Sequence, residues 1–155
     1  MENKLQINIY KGLPMVLEKI NTVALASVIG KGGSWINNKY RHNVIKDRPQ
    51  EFVQSDIELI NNGLPLLGDE ILGSLVVFCE DRENVIEQIK DLRKIVSMPY
   101  VYNEVMKKDK RWFERRMQPR KPGGKACSFK EDDILRINMG AMQVANELKS
   151  IEFTL

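Results

Sequence analysis

The chain has 155 residues, of which 43% are apolar and 29% are charged, and its net charge is +3. This composition excludes a disordered tail and supplies enough apolar residues for a core. No apolar run approaches the roughly 20 residues that span a bilayer, and the N-terminal sequence lacks the basic start and apolar stretch of a secretion signal. We therefore expect a cytoplasmic protein without a membrane partner.

The sequence repeats itself at an interval of 77 residues, the distance from Trp35 to Trp112. The clearest pair of segments is FVQSDIELINNG (52–63) and FKEDDILRINMG (129–140), which share Phe, Asp, two Ile, Asn and Gly in one register. We predict two diverged units, residues 1–78 and 79–155. Because each half has little apolar material and no Pro/Gly/Ser-rich linker separates them, we expect the halves to share a core as a pseudo-dimer. The alternative is that they fold as separate beads.

In chain order, the first unit is predicted to contain four helices, a loop and a short strand. The helices follow from apolar residues spaced three and four apart, and the strand follows from alternation. The elements are LPMVLEKI (13–20) with Pro14 in its first turn, TVALASVI (22–29) capped by Thr22, SWINNKYRH (34–42) capped by Ser34, the loop NVIKDRPQE (43–51), a long helix over 53–72 that Gly63, Pro65 or Gly68 bends or breaks, and the strand SLVVF (74–78).

The second unit is predicted to follow the same plan. Its elements are the helices NVIEQIKDLRKIV (84–96), YVYNEVM (100–106) and KRWFERRM (110–117), the loop QPRKPGGKACS (118–128), the helix EDDILRINMGAMQVANELK (131–149) and the strand SIEFTL (150–155). The predicted fold class is therefore mainly all-α, with two tandem helix-turn-helix units packed as a pseudo-dimer and short terminal β-segments.

Three residues of the first unit have the spacing of a helix-turn-helix. Ala26 is small enough for a close helix crossing, Gly30 suits the turn, and Ile36 closes the core. The stretch TVALASVIGKGGSWINNKYR resembles the phage-repressor type of this motif. In the second unit, Asn103 replaces the small residue and Lys107 replaces the turn glycine, which leaves the geometry of that turn open.

The wider stretch resembles an uncharacterised family of small helix-turn-helix proteins from bacterial and phage genomes. The resemblance covers about residues 20–75 and, more weakly, 97–152, and it implies the helix-turn-helix fold. The matching positions are Gly30, Lys31, Ser34, Trp35, Ile36, Lys39, Tyr40, Asn43, Pro49 and Phe52.

Positive charge concentrates on the second helix and the following loop of both predicted motifs. Residues 31–48 carry five basic residues and one acidic residue, and residues 107–125 carry nine and two. We therefore expect double-stranded DNA as the partner. In this hypothesis Asn37 and Asn38 pair with adenine edges and Arg41 pairs with guanine. The residues predicted to hold phosphates are Lys31, Gly32, Gly33, Ser34 and Lys39 in the first unit and Lys108, Lys110, Arg111, Arg115 and Arg116 in the second.

Other interpretations stay open beside this one. Trp35 and Trp112 are more simply packing anchors against Phe52 and Phe129 than platforms for stacked bases. The scaffold would also serve as a protein-protein interaction module without DNA binding, and the sequence leaves open whether two chains pair. A basic helix face is also common on an ordinary solvated surface.

Catalysis, cofactors and metals are not expected. The single His42 has no obvious nucleophile partner, and Cys79 and Cys127 lack the spacing of metal ligands. Gly123 and Gly124 lack the spacing of a nucleotide-binding loop and favour a simple turn.

Overall fold

The computed structural model describes residues 4–119 and 127–155, and it is mainly helical. Within these ranges no helix has the length and apolar character needed to cross a membrane. The predicted loop QPRKPGGKACS lies largely outside the described residues, and Gly123 and Gly124 with it. The elements are β1 (Leu5–Asn8), α1 (Ile9–Leu17), α2 (Thr22–Val28), α3 (Trp35–Tyr40), β2 (Val44–Ile45), β3 (Arg48–Pro49), α4 (Gln54–Leu72), α5 (Arg82–Arg93), α6 (Met98–Tyr100), a π-helical segment (Val101–Val105), α7 (Lys110–Met117), α8 (Glu131–Ser150) and β4 (Ile151–Thr154).

The long helices α4 and α8 pack against each other at the centre of the core. Each buries the apolar stripe that its sequence predicts, with Ile57, Ile60 and Leu64 on α4. At the contact between the two helices, a Cβ on Gly68 would lie 3.0 Å from the carbonyl oxygen of Ala145, so glycine permits the close approach.

The two ends of the described chain meet in a short parallel pair of strands, β1 and β4. The pairing runs from Leu5 opposite Ile151 to Asn8 opposite Thr154. The strand predicted at SIEFTL is confirmed, whereas the strand predicted at SLVVF is wrong. The physical reason is that the side chains of Asn138 and Gln88 take up the backbone hydrogen bonds of Val76 and Val77, so these groups do not pair with a strand among the described residues.

Contacts between the halves recur at residues 77 apart. The Asn61 amide donates to the Phe153 carbonyl at 2.9 Å and accepts from the Phe153 N–H at 2.8 Å. In the same way, the Asn138 amide donates to the Val76 carbonyl at 2.8 Å and accepts from the Val76 N–H at 2.9 Å. Each asparagine therefore binds the backbone of the other half.

A second reciprocal contact joins the segments that precede α2 and α6. The Asn21 N–H donates to the Ile95 carbonyl at 2.7 Å, and the Ser97 N–H donates to the Lys19 carbonyl at 3.0 Å. These pairs are offset by 76 residues rather than 77. The π-helical segment Val101–Val105 accounts for the change, since a π turn accommodates one additional residue.

Several element boundaries differ from the prediction. α1 begins at Ile9, because the Asn8 side chain accepts from the Tyr10 N–H as its cap, so Pro14 lies inside the helix. Asn21, not Thr22, caps α2. α4 runs unbroken from Gln54 to Leu72, and the predicted loop at 43–51 contains the hairpin of β2 and β3.

Candidate nucleic-acid interface

In the first unit, a turn joins α2 to α3. Ala26 and Ile36 are fully buried, and Gly30 has the left-handed φ of 74°. The Lys31 N–H donates to the Ala26 carbonyl at 2.8 Å and closes the end of α2. Ser34 precedes α3 but makes no side-chain capping hydrogen bond.

The second unit keeps this turn although its sequence differs. Lys107 has a φ of 56°, in the left-handed region that Gly30 occupies. The Lys108 N–H donates to the Tyr102 carbonyl at 2.7 Å. Because of the additional residue in the π-helical segment, Tyr102 and not Asn103 takes the position of Ala26, and Asn103 is exposed.

Tyr102 and Arg93 hold α7 in place. The Tyr102 ring stacks on Phe113 at 5.1 Å between centroids, and the Arg93 guanidinium lies 3.5 Å from the Glu114 carboxylate. Burial raises the pKa of the Tyr102 hydroxyl, and the negative charge of Glu114 raises it further. The neutral phenol is therefore the favoured form in the folded protein.

Each tryptophan lies between two cations and against one phenylalanine. Lys31 Nζ and Lys39 Nζ are 5.4 and 5.5 Å from the centroid of the Trp35 ring. The Trp35 ring meets Phe52 edge-on at 6.2 Å. This bears out its predicted role as a packing anchor for the helix that follows.

The second unit has the same cluster at residues 77 further along. Lys108 Nζ and the Arg116 guanidinium carbon lie 5.6 and 4.2 Å from the centroid of Trp112. The Trp112 ring meets Phe129 edge-on at 5.8 Å. The two clusters therefore fix α3 and α7 in equivalent ways.

Two of the predicted phosphate ligands are directed inward. Lys39 Nζ lies 3.0 Å from the Asp56 carboxylate, which also accepts from the Val53 N–H at the start of α4. Arg116 donates to the Trp112 carbonyl at 2.9 Å, and its Nε is buried without a partner in the described chain. Lys39 therefore attaches α3 to α4, whereas Arg116 packs against Trp112 of its own helix.

The other predicted residues lie at the surface in two separate groups. In the first unit, Asn37 is partly exposed, and the Asn38 side chain accepts from the Asn43 amide at 2.9 Å. The exposed residues are Lys31, Gly32, Gly33, Ser34 and Arg41 in the first unit and Lys110, Arg111 and Arg115 in the second, where Lys108 is partly buried.

Ion pairing divides the basic side chains of the described residues into two classes. Those with a carboxylate within 4.0 Å are Lys19, Lys39, Arg82, Lys90, Arg93, Lys94, Arg136 and Lys149. Those without such a partner in residues 31–48 and 107–116 are Lys31, Arg41, Lys46, Arg48, Lys107, Lys108, Lys110, Arg111, Arg115 and Arg116. Outside these two segments only Lys4, Lys11 and Lys130 lack one among the described residues. Cations without a carboxylate partner are thus concentrated in these two segments.

Three described cations of the two basic runs were not predicted as site residues. Lys46 and Arg48 belong to the hairpin of β2 and β3, and Lys107 belongs to the turn before α7. Their only sequence signal was their place in the basic runs. In the described ranges, no group of three or more His, Cys, Asp or Glu side chains is arranged to hold a metal ion.

Comparison of the chain with family models, with curated proteins and with solved structures finds no match.

Proposed function

We propose that the protein binds double-stranded DNA through two helix-turn-helix units, as a small transcriptional regulator or an accessory protein of a mobile element. The observation that carries the proposal is the concentration of exposed cations without a carboxylate partner in residues 31–48 and 107–116. A cation that is already paired with a carboxylate releases few counterions from DNA when it meets a phosphate. An unpaired, exposed cation displaces a condensed counterion from DNA, and this release drives binding.

We propose further that the two units are diverged copies that pack as a pseudo-dimer, in line with the resemblance to the small helix-turn-helix family. The reciprocal contacts of Asn61 and Asn138 support this arrangement, as do the matching clusters of Trp35 and Trp112. Two related reading units imply a target of two parts. Such a target would be a rough palindrome with unequal halves, because α3 and α7 differ in sequence.

The two units would divide the work of recognition. α3 and its C-terminal end present Asn37 and Arg41, whose side chains pair with adenine and guanine edges. α7 presents Lys110, Arg111 and Arg115 on its exposed surface, which suits phosphate contacts. The first unit would therefore supply sequence selection, and the second would supply affinity that depends little on sequence.

Two double variants test this division. We expect Arg111→Ala with Arg115→Ala to weaken binding to any duplex about tenfold and to lower the salt dependence, since two phosphate contacts are lost. The control is Lys90→Ala with Lys94→Ala, on α5 and directly after it, which makes the same change in net charge on exposed side chains that pair with acidic residues. Equal binding by the variant and the control in fluorescence anisotropy would contradict the proposed role of α7.

Asn37→Ala with Arg41→Ala tests the reading role of α3. A site is first selected from a random pool with the parent protein, and the affinities for this site and for a scrambled duplex are then compared. We expect the ratio of the two affinities to fall at least tenfold in the variant, because each good base contact contributes about 1–3 kcal/mol of discrimination. An unchanged ratio would show that α3 does not discriminate between base sequences.

One observation favours a protein-protein interaction module as the second candidate. Leu135, Met139 and Met142 form an apolar stripe on the outer face of α8 and are 57%, 50% and 42% exposed. Exposed apolar stripes on helices commonly mark protein interfaces. Leu135→Glu would separate the candidates, because it would abolish self-association or partner binding and leave DNA binding unchanged.

A further inference from the structure

The segment after α3 forms a short antiparallel hairpin that lies entirely at the surface. Val44 pairs with Pro49, and Ile45 pairs with Arg48. The two turn residues, Lys46 and Asp47, have left-handed φ values of 51° and 64°. Two successive residues of this kind define the tight type I′ turn, which usually takes Asn-Gly. Lys and Asp hold this conformation at a cost in backbone strain.

The base of the hairpin is fixed to the C-terminal end of α3. The Asn43 N–H donates to the Asn38 carbonyl at 3.0 Å, and the Gln50 N–H donates to the Asn43 carbonyl at 2.9 Å. His42 stacks on Tyr10 of α1 at 5.2 Å between ring centroids. The hairpin therefore keeps a defined position relative to the exposed side chains of α3.

The hairpin has exposed apolar side chains and cations without a carboxylate partner, which is unusual for a surface loop without a binding role. Val44 and Ile45 are 68% and 41% exposed, although β-branched side chains of this kind ordinarily pack against other residues. Lys46 and Arg48 have no carboxylate of a described residue within 4.0 Å. The tip therefore combines positive charge with apolar side chains and rises about 10 Å above its base, at roughly 3.3 Å per residue.

We propose that this hairpin enters the minor groove beside the major-groove site of α3 and places Lys46 and Arg48 there. This inference rests on the proposed function. A narrow minor groove concentrates negative potential and attracts Lys and Arg side chains. The groove is about 6 Å wide and 7.5 Å deep, and the long side chains of Lys46 and Arg48 at the end of the hairpin would extend toward its floor. Val44 and Ile45 then contact the sugars at its edge.

The test uses a change in the DNA that affects the minor groove alone. Guanine has an amino group in the minor groove, and inosine lacks it while it keeps the major-groove acceptors of guanine. We would compare a mixed-sequence duplex with the same duplex carrying inosine for guanine. The proteins are the full chain, Lys46→Ala with Arg48→Ala, and the control Lys90→Ala with Lys94→Ala. Anisotropy gives each affinity at one fixed salt concentration.

We expect the parent and the control to bind the inosine duplex several-fold more tightly than the guanine duplex, and the hairpin variant to bind both equally and about tenfold more weakly than the parent. If the hairpin variant keeps the preference for inosine, or if the parent has none, the minor-groove assignment is wrong while DNA binding stands. If the parent binds neither duplex, the proposed function fails first and the inference falls with it. Equal Tm values of all three proteins would show that the variants keep the fold. The variant Lys46→Asn repeats the test with the hairpin intact, because asparagine suits the type I′ turn.

Discussion

Gly63 and Gly140 are related positions in the two halves, and alanine should affect them differently. On α4, a Cβ at Gly63 would lie closer than 3.0 Å to Cγ2 of Ile29, a separation that real Cβ atoms essentially never show. On α8, a Cβ at Gly140 would lie 3.2 Å from Val101 and 3.4 Å from Val105. The first contact is a steric clash, whereas the second requires the neighbouring methyl groups to move by only a few tenths of an ångström.

The balance of two effects sets the expected magnitude. Replacing a helical glycine by alanine stabilises the helix by about 1 kcal/mol at either position. Overpacking costs roughly 1–3 kcal/mol, and Gly63 belongs near the upper limit because the clashing atom is attached directly to the branched Cβ of Ile29. We therefore expect Gly63→Ala to lose about 2 kcal/mol of unfolding free energy and Gly140→Ala to change it by about 0 kcal/mol.

Thermal unfolding followed by circular dichroism measures this difference. For a chain of this size, about 2 kcal/mol corresponds to a fall in Tm of roughly 4–8 °C. The double variant Gly63→Ala with Ile29→Ala removes the clashing methyl group, so its loss should be smaller than the sum of the two single losses. Equal Tm values for Gly63→Ala and Gly140→Ala, or additive losses in the double variant, would refute the proposed packing of α2 on α4.

Two further predictions concern stability. Lys107→Gly should raise the unfolding free energy by about 1 kcal/mol in urea titrations, because glycine adopts the left-handed φ of this turn without strain, and no gain would argue against that φ. Lys19 lies 2.6 Å from Glu147. Burial lowers the pKa of Lys19, but the hydrogen bond and charge of Glu147, together with the charges of Tyr100 and Glu18, raise this pKa above its ordinary 10.5. The resulting stability is complete below pH 10.5 and is lost as the pH rises through the folded pKa. The raised pKa of Tyr102 acts in the same direction above its ordinary 10.0. Tyr102→Phe and Lys19→Met should therefore each flatten the alkaline fall of Tm, and an unchanged slope in both would contradict these pKa shifts.

The amphipathic helices were predictable because burial repeats with their period. The stripes of α4 and α8, and the roles of Ala26, Gly30 and Ile36, follow from spacing alone. The position of Tyr102 was not predictable, because an ungapped comparison of the two halves does not show the single additional residue that the π turn accommodates. The hairpin escaped prediction for a different reason, since Lys46 and Asp47 are not the residues that its turn ordinarily takes.

The inward direction of two predicted phosphate ligands had a signal in the sequence. Lys39 follows Trp35 by four residues, and Arg116 follows Trp112 by four, so each cation lies on the same helical face as a tryptophan that packs inward. Charge alone had placed them with the outward residues. The helical period is therefore a better guide than local net charge to which cations of such a helix are exposed.

The most direct measurement of DNA binding is the affinity of the intact protein for a mixed-sequence duplex across a series of salt concentrations. Each phosphate neutralised by a cation adds about −0.9 to the slope of log affinity against log salt. With the exposed cations of both segments engaged, we expect a slope steeper than about −4. Binding with a slope near zero, or no binding even at low salt, would contradict DNA binding by these cations and leave the helix-turn-helix as a scaffold for a protein partner.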